Sequence, residues 1–131
     1  MNARRQWFVV IVAIFLLDAV SLALSGLAAN AASSEQRPFT VSQLFRTALL
    51  GEEVYVTGSI TKLSPEYKAK SGYNYQQFFI SDGEESIKVF CSEKYGKADV
   101  SEGDAIVASG KFQKYYEEFE INGFCSEIKV L

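Results

Sequence analysis

Histidine is absent from the 131 residues, and the other chemistry-bearing types are thin. That absence removes the one side chain whose charge normally changes near neutral pH, and with it histidine-based acid–base catalysis. Cysteine occurs twice, at Cys91 and Cys125, too few and too widely spaced for a zinc site. No glycine-rich phosphate loop and no cluster with metal-ligand spacing are present. The sequence therefore implies no catalytic residue, no metal and no cofactor. Positive charge is also lacking. The net charge is −3, and without Arg4, Arg5 and Asp18 of the N-terminal segment the chain keeps 11 basic against 15 acidic residues. Such a balance gives no long-range attraction to nucleic acid or anionic lipid.

The first 31 residues differ from the rest. Arg4 and Arg5 precede the apolar run WFVVIVAIFLL, Asp18 interrupts it, and AVSLALSGLAANAA comes after. A basic start, an apolar stretch and small residues at Ala29-Asn30-Ala31 fit a secretory signal peptide. Trp7 to Ala31 is also long enough for a membrane-spanning helix. Asp18 would cost about 2.5–3.5 kcal/mol at a helix centre, which weakens an anchor without excluding it. Both readings keep the arginines inside and export the domain, so the expected location is membrane-anchored outside the cytoplasm, or secreted or periplasmic after cleavage. A buried soluble helix is the third option. The expected organisation is 1–31 as signal or anchor, 32–38 as a polar linker ending at Pro38, and 39–131 as one domain.

Within that domain, Thr40-Val41-Ser42-Gln43 has capping-box spacing, and Val41, Leu44, Phe45, Ala48 and Leu49 recur at helical intervals before Gly51. A helix of about ten residues is expected. A first strand is expected from Glu53 to Lys62, with Val54, Val56 and Ile60 inward and Gly58 at a bend. Leu63 to Asn74 reads as a loop broken by Pro65 and Gly72.

The stretch FFISDGEESIKVF, Phe78 to Phe90, is the clearest signal. Phe78, Ile80, Ile87 and Val89 alternate on either side of Asp82-Gly83-Glu84-Glu85, the pattern of a hairpin with one buried face. Phe79, Lys88 and Phe90 then point outward. Cys91 to Glu102 lacks alternation and reads as a loop with one helical turn. A fourth strand begins after Gly103-Asp104, with Ile106, Ala108, Gly110 and Phe112 inward. Tyr115 to Glu118 is a turn. The last strand carries Phe119 and Ile121 inward, then shifts phase to Ile128 and Val130, which calls for a bulge at Asn122-Gly123.

A short helix and five strands, with a long first loop, make this a mainly β chain with the pattern of a five-stranded OB-fold barrel. In VYVTGSI, FFISDGEESIKVF and GDAIVASGKF the chain resembles OB-fold domains of the tRNA-anticodon and single-strand nucleic-acid-binding type. It is also similar to secreted bacterial OB-fold proteins. The resemblance spans roughly residues 51–131, and implies a binding surface on the outer face of strands two and three, flanked by the first and last loops. Fold alone gives no function. In such a barrel strands three and five are neighbours, so the resemblance implies a Cys91–Cys125 disulfide if the domain is exported; two buried free thiols are the alternative.

The residues expected on or beside that surface are Tyr55, Lys68, Lys70, Tyr75, Phe79, Lys88, Phe90 and Lys111. Spaced aromatic faces stack on bases, and lysines contact phosphates, so single-stranded DNA or RNA is the favoured partner. Glu117, Glu118 and Glu120 near the last loop oppose that reading. The plainer alternative pairs Phe79 with Phe90 across the strands. A protein or small-ligand partner is the other class, with the membrane as a partner of the N-terminal segment. A haem chaperone of cytochrome c maturation is similar in outline, but its haem-attachment motif comes after the last strand, whereas Cys91-Ser92-Glu93-Lys94-Tyr95 precedes the fourth. Secreted nucleases of this fold place arginines within the barrel; here Arg37 and Arg46 precede it.

Overall fold

The computed structural model describes residues 32–131, so the expected N-terminal signal or anchor lies outside the described residues. Among those described, no helix is long and apolar enough to cross a membrane. The first elements are β1 (Phe39–Thr40) and helix α1 (Val41–Thr47). The capping box forms as expected: the Gln43 amide donates to Thr40 Oγ1 at 3.2 Å, and the Thr40 amide to Gln43 Oε1 at 2.9 Å. α1 has seven residues rather than about ten, and Ala48 is already extended. The cause lies downstream. The Gly51 amide donates to the Phe112 carbonyl and the Phe112 amide to that of Glu52. The chain has thus joined the barrel by residue 51, and residues 48–50 must cover the approach.

Strand β2 (Glu53–Lys68) pairs parallel with β1 at Val56 and Thr57 and is otherwise shared between two antiparallel partners. Glu53 to Ser59 pairs antiparallel with β5 (Ala105–Tyr115), and Ser59 to Lys68 with β3 (Asn74–Ser81). Gly58 stands at the changeover, where a Cβ would lie 3.0 Å from the Ser81 carbonyl oxygen, so it permits the bend that closing a barrel needs. β2 extends six residues beyond the expected end at Lys62, so most of the expected 63–74 loop is strand. Pro65 does not break it, because it sits in a register irregularity between Ser64 and Tyr67 where the ladder skips its missing N–H. The real connection is the short turn at residues 69–73, with Gly72 at φ 91°.

β3 and β4 (Ser86–Ser92) form the expected hairpin, with Phe78 opposite Val89 and Ile80 opposite Ile87, all buried. Asp82 organises its turn: Oδ1 accepts from the Glu84 and Glu85 amides at 2.9 and 2.8 Å, while Oδ2 accepts from the Ser42 amide of α1 at 2.8 Å. Hydrogen bonds from Glu85 and from Ser42 hold this carboxyl far below the usual carboxylate range. One side chain therefore fixes the turn and ties the helix to it.

β4 runs parallel to β6 (Glu118–Phe124), β6 pairs antiparallel with β5, and β5 closes the ring on β2. Val54, Val56, Ile60, Phe78, Ile80, Ile87, Val89, Ile106, Ala108, Phe112 and Ile121 fill the interior, and Val41 and Leu44 add the helix to it. This closed five-strand ring is an OB fold, as the sequence leads one to expect.

Two details differ. Residues 93–104 contain turns but no helical turn; the Gly103 amide and Asp104 carbonyl clamp both sides of Ile60 instead. The last strand also shifts phase differently. Asn122 and Gly123 stay in register with β4, and a 3₁₀ turn at Cys125–Glu127 separates β6 from the two-residue β7 (Lys129–Val130). Ile128 still packs on the core, but Val130 is 49% exposed. Gly123 instead serves a close crossing, since a Cβ there would lie 2.1 Å from the Ser109 carbonyl oxygen. The Cys91–Cys125 disulfide forms, with a Cα separation of 4.9 Å and both residues buried. The polar segment before β1 lies against the barrel: Ser33 Oγ accepts from the Tyr55 amide, and Glu35 pairs with Lys129.

Candidate functional site

Strand register turns the outer face of β3, β4, β6 and β5 into three rungs. Tyr75, Ser92 and Phe124 form one; Gln77, Phe90, Asn122 and Lys111 the next; Phe79, Lys88, Glu120 and Gln113 the third. Alternation along each strand points these residues away from the core. The rungs thus carry aromatic, amide and charged groups side by side.

Three rings gather over this face. Tyr75 and Phe90 stack with centroids 4.5 Å apart and planes 7° from parallel. Tyr67, held opposite Tyr75 by the extension of β2, stands at 6.4 Å from Tyr75 and 5.9 Å from Phe90. Such contacts stabilise by about 0.5–1.5 kcal/mol per pair beyond burial, and Tyr67 stays half exposed. Beside it lies a hollow of about 300 Å³ lined by Tyr67, Gln77, Lys88, Phe90, Gln113, Tyr115, Glu120 and Asn122. A second, of about 490 Å³, shares Gln113 and Asn122 and adds Tyr73, Lys94, Lys111 and Phe124 among others. The turn at residues 69–73 and the two-residue turn Tyr116-Glu117 between β5 and β6 occupy the positions of the first and last loops.

The cations are unequal. Lys88 lies 3.9 Å from Glu118, and Lys114 lies 3.4 Å from Glu117, so the acidic last turn draws on both. Lys111 and Lys94 make no ion pair among the described residues; Lys94 stands over the rings of Tyr73 and Tyr95. Behind the aromatic cluster, Lys97 reaches Glu66 at 3.0 Å and Glu93 at 3.6 Å, clipping the segment after β4 to the end of β2. The Lys97 hydrogen bond lowers the pKa of Glu66, whereas burial, then Glu66 itself, raise that of Glu93.

Of the residues expected at the site, Tyr75, Lys88, Phe90 and Lys111 line these hollows. Tyr55 does not join them; it borders a separate depression with Glu35, Val107, Ser109, Glu127 and Lys129. Phe79 shares the face but opposes Lys88 and Lys62, outside both hollows. The expected cross-strand Phe79–Phe90 pair is not formed, because register sets Gln77 opposite Phe90. Lys68 ends β2 and Lys70 lies in the adjoining turn, both exposed and outside the hollows. Gln113, Asn122 and Lys94 were not apparent as site residues. Outward alternation from Lys111 and Glu120 carries the signal for the first two. The Cys91–Tyr95 spacing loses its thiol to the disulfide. Among the described residues no group of three or more cysteine, aspartate or glutamate side chains could hold a metal ion.

No family model matches the chain, and no curated protein does. Solved structures do. A crystallised domain of replication protein A from Methanococcus maripaludis superposes with a TM-score of 0.55 and 15% identity, covering 66% of this chain and 91% of its own. The second OB-fold domain of replication protein A from the same organism, in solution, gives 0.56 and 18%, covering 71% and 93%. An OB domain from Thermoplasma acidophilum gives 0.50 and 16%, covering 70% and 82%. The likeness at these identities is one of fold, and the fold is the OB barrel.

Proposed function

We propose that this protein is a non-enzymatic binding module for single-stranded nucleic acid, exported or tethered to a membrane by its N-terminal segment. The observation that carries the reading is the packed cluster of Tyr67, Tyr75 and Phe90 beside a hollow reached by Lys88, with Lys111 on the adjoining one. Half-exposed rings accept bases by stacking at about 1–3 kcal/mol each, whatever the sequence. With the net charge negative, phosphate contacts fall to local lysines, and Lys94 and Lys111, which border the second hollow together with Glu53, make no ion pair among the described residues. The name of the similar replication protein A domains supports the same ligand class. The location rests on the sequence pattern of residues 1–31, and the buried disulfide is consistent with an oxidising compartment.

The competing reading, an extracytoplasmic module for a protein or small ligand, draws support from Glu117 and Glu118, which neutralise two lysines at the rim. Titration of labelled single-stranded DNA and RNA against the full chain in neutral detergent, at low and moderate salt, separates the two. Binding should weaken with salt, fall about 10-fold or more in Phe90→Ala and Tyr67→Ala, and stay near wild type in Phe79→Ala. An absence of binding at low salt would overturn the nucleic-acid reading and leave the competing one.

A further inference from the structure

Glu120 is an unusual side chain to find on a binding face. It is 5% exposed, yet it points outward from the core and lines the hollow that holds Phe90, Tyr67 and Tyr115. Its Oε1 accepts from Gln113 Nε2 at 2.7 Å. Its Oε2 makes no hydrogen bond or ion pair among the described residues, and the Lys88 ammonium on the adjacent strand reaches Glu118 instead. That oxygen keeps access to the hollow, because the buried side-chain oxygen left without a partner among the described residues is Glu93 Oε1 and not Glu120 Oε2. An apolar side chain here would only extend the aromatic floor. The acceptor-only carboxylate instead offers its second oxygen to a donor, water or ligand, that enters the hollow.

We infer that Glu120, positioned by Gln113, reads the pairing edge of a base seated in this hollow and selects bases that present amino donors. The inference rests on the nucleic-acid reading above and names the specificity of the same site. Guanine fits first, because N1–H and N2–H₂ are adjacent donors that match the two carboxylate oxygens. Cytosine and adenine come next, each offering one exocyclic amine. Thymine and uracil fit worst: their single N3–H lies between two carbonyl oxygens that a carboxylate repels. Stacking on Tyr67 or Tyr115 is indifferent to these edges, so Glu120 is the group that would convert sequence-tolerant binding into a preference.

The test uses the full chain in neutral detergent and labelled heptamers of dT whose central nucleotide is dT, dG, dC, dA or deoxyinosine. The dG heptamer should bind about 10-fold tighter than all-dT, the range in which one well-made base contact discriminates. Deoxyinosine, which lacks the 2-amino group, should fall between them. Glu120→Gln supplies a donor as well as an acceptor and should bring the dG and dT heptamers within about 2-fold of each other. Equal affinity of the wild-type chain for all five would overturn the inference while leaving single-strand binding intact. So would an unchanged dG preference in a folded Glu120→Gln chain. Binding of none of them would overturn the nucleic-acid reading, and the inference with it.

Discussion

Replacing both cysteines, as Cys91→Ala with Cys125→Ala, should cost about 4 kcal/mol of stability. The bridge joins the end of β4 to the start of the 3₁₀ turn across a sequence separation of 34, and the loop so closed contains all of β5 and β6. On the chain-entropy account a loop of that length withholds about 3.8 kcal/mol of disorder from the unfolded chain. Truncating two side chains that are each 1% exposed adds a small cavity penalty. Domains of this size are stable by only about 5–15 kcal/mol, so the loss is a large share. Far-UV circular dichroism of residues 32–131, which hold the whole described core, reports it, since the sole tryptophan is Trp7. With a urea slope of about 1.3 kcal/mol per M, the midpoint should fall by about 3 M. Reductant should move the wild-type curve onto that of the variant. A fall below about 0.7 M would refute the loop-entropy reasoning. A variant curve that shifts while reduced wild type does not would assign the effect to packing alone.

The turns give two more expected outcomes. Asp82→Asn loses the carboxylate that receives three amides, among them an amide of the first turn of α1, and should destabilise by about 2 kcal/mol at pH 7. Folding lowers the Asp82 pKa from its ordinary value near 3.9, so its contribution is full above that pH and fades as the pH falls toward the folded value. The gap between wild type and variant in urea melts should thus shrink at pH 3; a gap that stays constant contradicts the assignment. Tyr116→Asn with Glu117→Gly relieves two non-glycine residues held at φ 49° and 51°. It should stabilise by about 1–2 kcal/mol, raising Tm by several degrees in a thermal melt; no rise would mean the turn carries no strain.

Local periodicity made the interior legible. Phe78, Ile80, Ile87 and Val89 alternate around a turn, and Thr40 with Gln43 announces the helix start, so both could be read from neighbours in sequence. The end of β2 could not, because Pro65 and the charged residues around it look like a loop, and only pairing with β3 makes a strand of them. That pairing brings Tyr67 to the site. Alternation from Lys111 and Glu120 puts Gln113 and Asn122 on the outer face, but only the register of β6 against β4, some thirty residues away, sets them and Glu120 beside Phe90 and Lys88. The same gap explains Phe79, whose outward direction was right but whose rung lies outside the hollows.

The double partnership of β2 also sets an order of assembly. Its later half meets β3 through a five-residue turn, and β3 meets β4 through another short turn, so a three-stranded meander can form from contacts close in sequence. Its earlier half must wait for residues 105–111. Ring closure is therefore the long-range, slow event, since distant pairings carry the largest loop-closure entropy. Until it happens, the edge of Glu53–Ser59 that faces β5 stays open, with β1 paired only at Val56 and Thr57. An open edge carrying Val54, Tyr55 and Val56 is the kind of segment on which neighbouring chains aggregate.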